Sequence, residues 1–198
     1  MPGLFVTIEG IDRSGKSTQA RRLAEALGED GLLVREPGGT PAGERIRDLL
    51  KDPAIELDPR SEALLFAAAR AELVAAVIKP ALAGGKVVIS DRYLDSSLAY
   101  QGHARGLGEA EVRRINAWAT TELEPDLTIL LRIDPAIAAA RAGEADRFED
   151  EGLELQRRVA DAYESLAAAN PARWRVVDAA RDPDEVTAEI LRMVQVTA

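Results

Sequence analysis

Short apolar runs alternate along the chain with longer segments in which apolar residues recur every three or four positions. The runs cover residues 4–9, 32–36, 86–91, 126–133 and 174–178. Several are apolar throughout, which is typical of parallel strands covered on both faces. The helical patterns cover residues 16–27, 41–50, 60–82, 109–122, 135–141, 153–169 and 184–194. This alternation predicts an α/β fold with three layers, in which helices flank a parallel five-stranded sheet.

No repeat or linker divides the 198 residues, so we expect a single domain over residues 1–198. With 46% hydrophobic and 30% charged residues, the composition is typical of a soluble globular protein. Residues 143–152 are rich in charge and poor in apolar side chains, which predicts an exposed loop there.

The net charge of −9 argues against a nucleic-acid polymer or an anionic membrane as partner. A small phosphorylated ligand remains compatible with this charge if the basic residues gather in one cleft. The chain has no cysteine, which excludes disulfides and thiolate metal sites. Its single histidine argues against a histidine-based metal site. No apolar run is long enough to span a membrane, and no signal peptide is evident, so a cytoplasmic location is expected.

The segment GIDRSGKST follows the first apolar run and matches the phosphate-binding pattern G-x-x-x-x-G-K-[ST]. Its backbone N–H groups and the following helix can surround phosphate oxygens, while Lys16 reaches the β- and γ-phosphates and Ser17 ligates Mg²⁺. The pattern predicts a P-loop NTPase fold. The predicted ATP-binding residues of this loop are Gly10, Ile11, Asp12, Arg13, Ser14, Gly15, Lys16, Ser17 and Thr18.

A P-loop alone does not separate kinases from GTPases or motor ATPases. A GTPase would carry a D-x-x-G switch after the loop and an N-K-x-D base reader, and the sequence has neither. A larger class of ATPase would need more chain.

Further motifs fall where strands are predicted to end. REPGG (residues 35–39) and DRY (residues 91–93) each follow an apolar run, at the sheet edge where α/β proteins bind ligands. Phe66 and Arg70 are spaced i, i+4, so they share one helical face. Each motif also has a purely structural interpretation. REPGG could be an ordinary strand-to-helix turn, the Asp–Arg pair of DRY could only close the sheet edge, and Phe66 could pack in the core.

These motifs, in this order, resemble the thymidylate kinase family of nucleoside monophosphate kinases over nearly the whole chain. The resemblance implies phosphoryl transfer from ATP to dTMP, giving dTDP and ADP in dTTP biosynthesis, with Mg²⁺ as cofactor and a homodimer as the assembly. Another P-loop nucleotide or deoxynucleoside kinase is the alternative enzyme, and a nucleotide-binding regulatory protein without turnover is the alternative class.

The resemblance also implies residue roles. Asp91 lies near Mg²⁺ with Ser17, Arg141 lies near the adenine, and a short lid covers residues of about 141–152. Tyr100 lies under the deoxyribose, while Arg45 and Arg92 hold the dTMP phosphate. The implied substrate-binding set is Asp12, Glu36, Pro37, Arg45, Phe66, Arg70, Arg92, Ser97, Tyr100 and Gln101. The sharp REPGG turn, with the resemblance, predicts a cis Glu36–Pro37 peptide bond.

The P-loop departs from many bacterial relatives at Arg13, where those carry a small residue and place arginines in the lid. We therefore predict Arg13 as the arginine that bridges donor and acceptor. The alternative is that Arg141 or Arg147 does so. The predicted catalytic residues are Lys16, Arg13, Arg92 and Asp91.

Overall fold

The computed structural model describes residues 3–141 and 152–197 of the chain. It contains one five-stranded sheet in which every strand pairing is parallel. The strands are β1 (Leu4–Glu9), β2 (Gly31–Arg35), β3 (Val87–Asp91), β4 (Leu127–Arg132) and β5 (Trp174–Asp178). Their order across the sheet is β2-β3-β1-β4-β5. The predicted fold class is confirmed.

Strand β1 lies at the centre of the sheet, with Leu4 opposite Val87 of β3 and Val6 opposite Leu127 of β4. All six of its residues are buried, because helices cover both faces of the sheet. The carboxyl ends of β1, β2 and β3 therefore meet at one edge, and the loops that follow them can share a ligand crevice.

Helices connect the strands and close both faces. They are α1 (Lys16–Leu27), α2 (Pro41–Lys51), α3 (Pro59–Leu73), α4 (Lys79–Ala83), α5 (Leu94–Ser97), α6 (Glu109–Thr120), α7 (Pro135–Ala139), α8 (Gly152–Ala169) and α9 (Pro183–Thr197). In the described part of the chain, none of them is long and apolar enough to cross a bilayer.

Local capping explains where the helices beside the crevice begin. The Thr40 side chain accepts from the N–H of Gly43, and the Asp58 side chain accepts from the N–H of Arg60. A proline occupies the first turn of both α2 and α3, where its missing N–H costs nothing.

Two π-helical turns modify the predicted helical pattern. The helix predicted over residues 60–82 consists of α3, a π-helical turn at Val74–Ile78, and α4. A second π-helical turn, Leu98–Ala104, extends α5 directly after β3. The wider turn places Tyr100 and Gln101 on the crevice side together with Ser96 and Ser97.

Candidate active site

The loop between β1 and α1 has the backbone of a phosphate cradle. Three of its residues have positive φ: Gly10 at 144°, Arg13 at 60° and Gly15 at 100°. A Cβ on Gly10 would lie 2.8 Å from the Leu131 carbonyl oxygen, so no larger residue fits there. The sequence pattern therefore reflects a conformation that only glycine adopts without strain at this point.

Lys16 lies across this loop and is buried. Its Nζ donates to the carbonyl oxygen of Ile11 and, over 3.4 Å, to Ser14 Oγ. Burial, together with the neighbouring positive charge of Arg92, lowers the pKa of Lys16 to about 8. An ammonium held among backbone dipoles in this way is placed to meet phosphate charge.

Ser17 and Asp91 join the P-loop to the end of β3, because Ser17 Oγ donates to Asp91 Oδ2 over 2.5 Å. A hydroxyl and a carboxylate in contact are oxygen ligands of the kind that Mg²⁺ takes from proteins, the rest coming from water and phosphate. The donor set therefore fits a magnesium ion bound together with a nucleotide.

A first cleft, of about 270 Å³, opens at the carboxyl ends of β1, β2 and β3. It brings together most of the predicted substrate and catalytic residues. Its lining consists of Asp12, Arg13, Lys16, Ser17, Arg35, Glu36, Pro37, Arg47, Lys51, Phe66, Arg70, Asp91, Arg92, Ser96, Ser97, Tyr100 and Gln101. Cations outnumber carboxylates in this lining, although the whole chain carries a charge of −9. The cleft is thus the place where an anionic ligand is attracted.

Arg92 stands at the centre of the cleft. Its guanidinium pairs with the Asp12 carboxylate, lies over the Tyr100 ring with 5.1 Å to the centroid, and donates to Ser96 Oγ over 3.1 Å. Although burial acts in the opposite direction, the positive charges of Arg92 and Lys16 hold the pKa of Asp12 below its ordinary value. Asp12 is therefore ionised, and it fixes the direction of the guanidinium.

Arg92 also has a φ of 71°, in the left-handed region that side chains rarely adopt. Strained backbone of this kind is concentrated at functional sites, where it is offset by the surrounding structure. The strain turns the chain at the end of β3, so that the side chain enters the cleft instead of continuing the strand.

Arg70 is held by the protein on every side. Its exposed fraction is 1%, and it pairs with Glu36 over 2.7 Å. Its other donors contact Ser97 Oγ, the Asn116 side chain and the Tyr93 carbonyl oxygen. A contact from Arg70 to a base carbonyl would therefore require one of these protein hydrogen bonds to be given up.

The end of the first cleft at which Arg70 lies also contains a half-buried aromatic ring and a sharp turn. Phe66 lines the cleft from α3 beside Arg70. The Glu36–Pro37 peptide bond is cis, as predicted.

Arg45 and Arg47 differ in their position relative to the first cleft. Arg45 is exposed and does not line the cleft, whereas Arg47 does and donates to the Pro37 carbonyl oxygen over 2.9 Å. The buried residues of α2 are Gly43 and Leu50, and Arg47 shares their helical face. Arg45 is two residues away, which places it on the opposite side of the helix.

A second cleft, of about 530 Å³, lies on the other side of the P-loop. Arg141 closes one end of it, donating to the carbonyl oxygens of Arg13, Ser14 and Ala179 over 3.2, 3.3 and 2.7 Å. Its lining consists of Arg13, Ser14, Gly15, Lys16, Ser17, Thr18, Gln19, Leu131, Arg141, Ala179, Arg181, Pro183 and Val186. Gly10 and Ile11 lie outside both linings, in the turn that supports the loop.

The thymidylate kinase family model matches residues 8–190 of this chain. The chain belongs to the thymidylate kinase family. It is 49% identical to the thymidylate kinase of Deinococcus radiodurans, over 95% of this chain and 94% of the relative. It is 51% identical to the thymidylate kinase of Leifsonia xyli subsp. xyli, over 96% of this chain and 93% of that one.

The fold agrees with a solved member of the thymidylate kinase family. The crystal structure of thymidylate kinase from Ehrlichia chaffeensis superposes with a TM-score of 0.81 at 35% identity, covering 97% of this chain and 98% of the other. The resemblance inferred from the motifs is thereby confirmed.

Sequence reasoning about this thymidylate kinase family member missed four residues in the lining of the first cleft: Arg35, Arg47, Lys51 and Ser96. Arg47 could have been found from the buried face of α2. Arg35 is the last residue of β2, and its guanidinium pairs with Glu44 over 2.8 Å. No local sequence pattern predicts this ion pair. Apart from Arg141 and Gly152, the lid predicted at about 141–152 lies outside the described residues, as does Arg147.

Proposed function

We propose that the first cleft binds dTMP, that the second binds ATP, and that the phosphoryl group passes between them at the P-loop. Family membership makes the ATP-dependent phosphorylation of dTMP to dTDP the activity of this chain. The assignment of the two ligands to these two clefts is supported by one observation: Arg13, Lys16 and Ser17 line both of them. A group held by these residues is within reach of both ligands.

Such a transfer needs positioning and charge neutralisation more than acid–base chemistry. The acceptor is a phosphate oxygen, which is already ionised at neutral pH, so no side chain has to remove a proton. Arg92 and Arg47 are the proposed holders of the acceptor phosphate, and Lys16 that of the donor phosphates. Arg13 is the proposed bridge between them.

Asp12 and Tyr100 support the choice of a deoxyribonucleotide as acceptor. Tyr100 donates to Asp12 over 3.0 Å, so its ring is fixed against the wall of the cleft beside Arg92. A sugar bound over this ring would meet the Asp12 carboxylate as an acceptor for its 3′-OH, while the ring would crowd a 2′-OH.

Ser17 and Asp91 are the proposed magnesium ligands. When bound, the ion neutralises charge on the β- and γ-phosphates of ATP. The hydrogen bond between the two residues links the start of α1 to the end of β3 and so fixes the position of the P-loop relative to the sheet edge.

A coupled assay of ADP release, run with a panel of nucleoside monophosphates at fixed ATP, tests the proposal. We expect turnover with dTMP and far less with ribonucleotides. Lys16→Ala should abolish turnover in a folded protein, and Lys79→Ala, an exposed change of the same kind on α4, should leave it intact. ATP-dependent turnover with some other acceptor and none with dTMP would overturn the assignment of the first cleft.

The homodimer and the cytoplasmic location stay predictions. Leu64 on α3 and Trp118 on α6 are large apolar side chains with 55% and 86% of their surface exposed, on two helices that pack together. A second copy of the chain would cover such a surface. Sedimentation equilibrium should then give twice the mass of the chain, and Trp118→Glu should lower it to that of one chain.

A further inference from the structure

Glu62 is a buried carboxylate behind the end of the first cleft that Phe66 and Arg70 line. It lies on α3 with 1% of its side chain exposed and is not part of the cleft lining. Arg105 donates to its two oxygens over 3.3 and 3.1 Å, and Gln101 Nε2 donates to Oε1 over 2.8 Å. Both oxygens of Glu62 therefore act as acceptors, towards Arg105 and Gln101.

This arrangement fixes the orientation of the Gln101 amide. A side-chain amide has a donating nitrogen and an accepting oxygen, and the nitrogen is the end that can donate to an accepting carboxylate oxygen. Gln101 lines the first cleft, and no donor among the described residues contacts its Oε1. Although Gln101 is only 1% exposed, this oxygen is not among the fully buried atoms without a partner in the described chain, so its small accessible area lies at the cleft wall.

Ser97, one helical turn earlier, offers the complementary group. Its Oγ accepts from Arg70 Nη1 over 3.1 Å, which leaves its hydroxyl hydrogen to donate. The wall of the cleft thus presents a donor beside an acceptor. A pyrimidine with a 4-keto group and an N3–H carries the opposite pair, whereas cytosine carries an amino donor and an unprotonated N3.

We infer that Glu62 is a specificity-positioning residue: it orients Gln101 so that Oε1 accepts the N3–H of a 4-keto pyrimidine and rejects cytosine. The inference rests on the proposed function, because it assumes that the base lies at this end of the first cleft. Glu62 acts through Gln101 and does not touch the base. A site built to hydrogen-bond a substrate group rejects an analogue that leaves its buried polar groups unpaired.

Glu62→Gln tests this role with little change of shape. The new amide can donate as well as accept, so Gln101 can turn its nitrogen to the cleft. We expect the ratio of kcat/KM for dTMP to that for dCMP to fall by roughly tenfold or more. Most of the change for dTMP should be in KM. Glu72→Gln, the same change at an exposed position of the same helix, is the matched control and should leave the ratio unaltered.

An unchanged ratio in a folded Glu62→Gln protein would overturn the inference, and so would an equal loss for both nucleotides, since that marks a merely structural role. If Glu62→Gln does not fold, Gln101→Met removes the oriented amide while keeping the side-chain length. Retention of the dTMP preference in that variant would equally overturn the inference.

The proposed function is tested separately by the wild-type protein. If it does not turn over dTMP, the assignment of the activity is at fault. Calorimetric binding of dTMP and dCMP to the wild type and to Glu62→Gln then still measures whether Glu62 sets the base preference. A wild type that binds both nucleotides equally would overturn the role of Glu62.

Discussion

Gln156 holds Asp12 at two points. Its Nε2 donates to Asp12 Oδ2 over 2.7 Å, and its Oε1 accepts from the backbone N–H of Asp12 over 3.1 Å. Asp12 in turn pairs with Arg92. Helix α8 is thereby linked, through one amide side chain, to the arginine at the centre of the cleft.

Gln156→Glu should weaken dTMP binding, because a second carboxylate would face Asp12 where an N–H donor now stands. Hydrogen bonds to charged groups are worth about 1.5–3 kcal/mol, so we expect KM for dTMP to rise roughly tenfold to a hundredfold. Steady-state kinetics against Gln195→Glu, the same change at an exposed site on α9, checks this. Equal KM values in the two variants would show that Gln156 does not position Asp12.

Arg47 and Arg45 form a natural pair of test and control on α2. Arg47→Ala should raise KM for dTMP by roughly tenfold to a hundredfold, since it removes a cation from the cleft. Arg45→Ala removes the same group from the exposed face and should change KM by less than about twofold. The reverse order of effects in dTMP titrations would restore the original expectation for Arg45.

Arg13→Gly should reduce kcat by about 10³–10⁵, the contribution of bridging arginines in related phosphoryl transfers. Glycine tolerates the φ of 60° at this position, so the loop should keep its shape and dTMP affinity should change little. Single-turnover rates and equilibrium binding separate the two effects. Arg147→Ala is the comparison, and a larger loss of kcat there would move the catalytic arginine to the lid.

Glu9, at the end of β1, should make stability depend on pH. It accepts from Ser96 Oγ over 2.6 Å and from Tyr163 over 2.9 Å, while burial and the nearby charge of Asp95 raise its pKa to about 7. Between the unfolded value near 4.5 and this raised value, the folded state binds more protons than the unfolded state. The contribution of Glu9 to stability is therefore fully present below about pH 4.5 and is lost as pH rises towards 7.

Urea unfolding of the wild type and Glu9→Gln at pH 5 and pH 7 measures this contribution. Glutamine does not titrate, so the free energy of unfolding of the wild type minus that of the variant should fall by about 1–3 kcal/mol between the two pH values. Parallel changes in both proteins would mean that Glu9 has an ordinary pKa. A pH-independent offset is expected, because an amide cannot match every donor that now faces Glu9.

The strands and the P-loop were predictable because their patterns are local. Strands β1 and β5 have the predicted bounds, whereas β3 differs by one residue at its start and β2 and β4 differ by one residue at each end, where pairing and not composition decides. The short helix α5 and its π-helical extension were not among the predicted elements, because α5 has only four residues and begins without a side-chain cap.

The site was less predictable wherever the role of a residue depends on which neighbours its side chain meets in the folded protein. The motif positions marked Arg70, but nothing in the sequence indicated that Glu36, Ser97 and Asn116 would occupy its donors. Arg45 and Arg47 differ only in helical phase, and the phase follows from what lies beneath α2. Glu62 has no motif of its own, since its significance comes from Gln101 and Arg105, which lie about 40 residues later, in and directly after the π-helical turn that extends α5.

The central position of β1 has a consequence for synthesis on the ribosome. β1 is the first strand to emerge, yet its partners are Val87 in β3 and Leu127 in β4, which are translated much later. The P-loop that follows it cannot be braced on both sides until β4 has left the exit tunnel. At about 5–20 residues per second, that delay is on the order of ten seconds. A nascent chain should therefore fail to retain ATP until β4 has left the tunnel, and β1, which is buried throughout in the fold, must be kept from other chains during that interval.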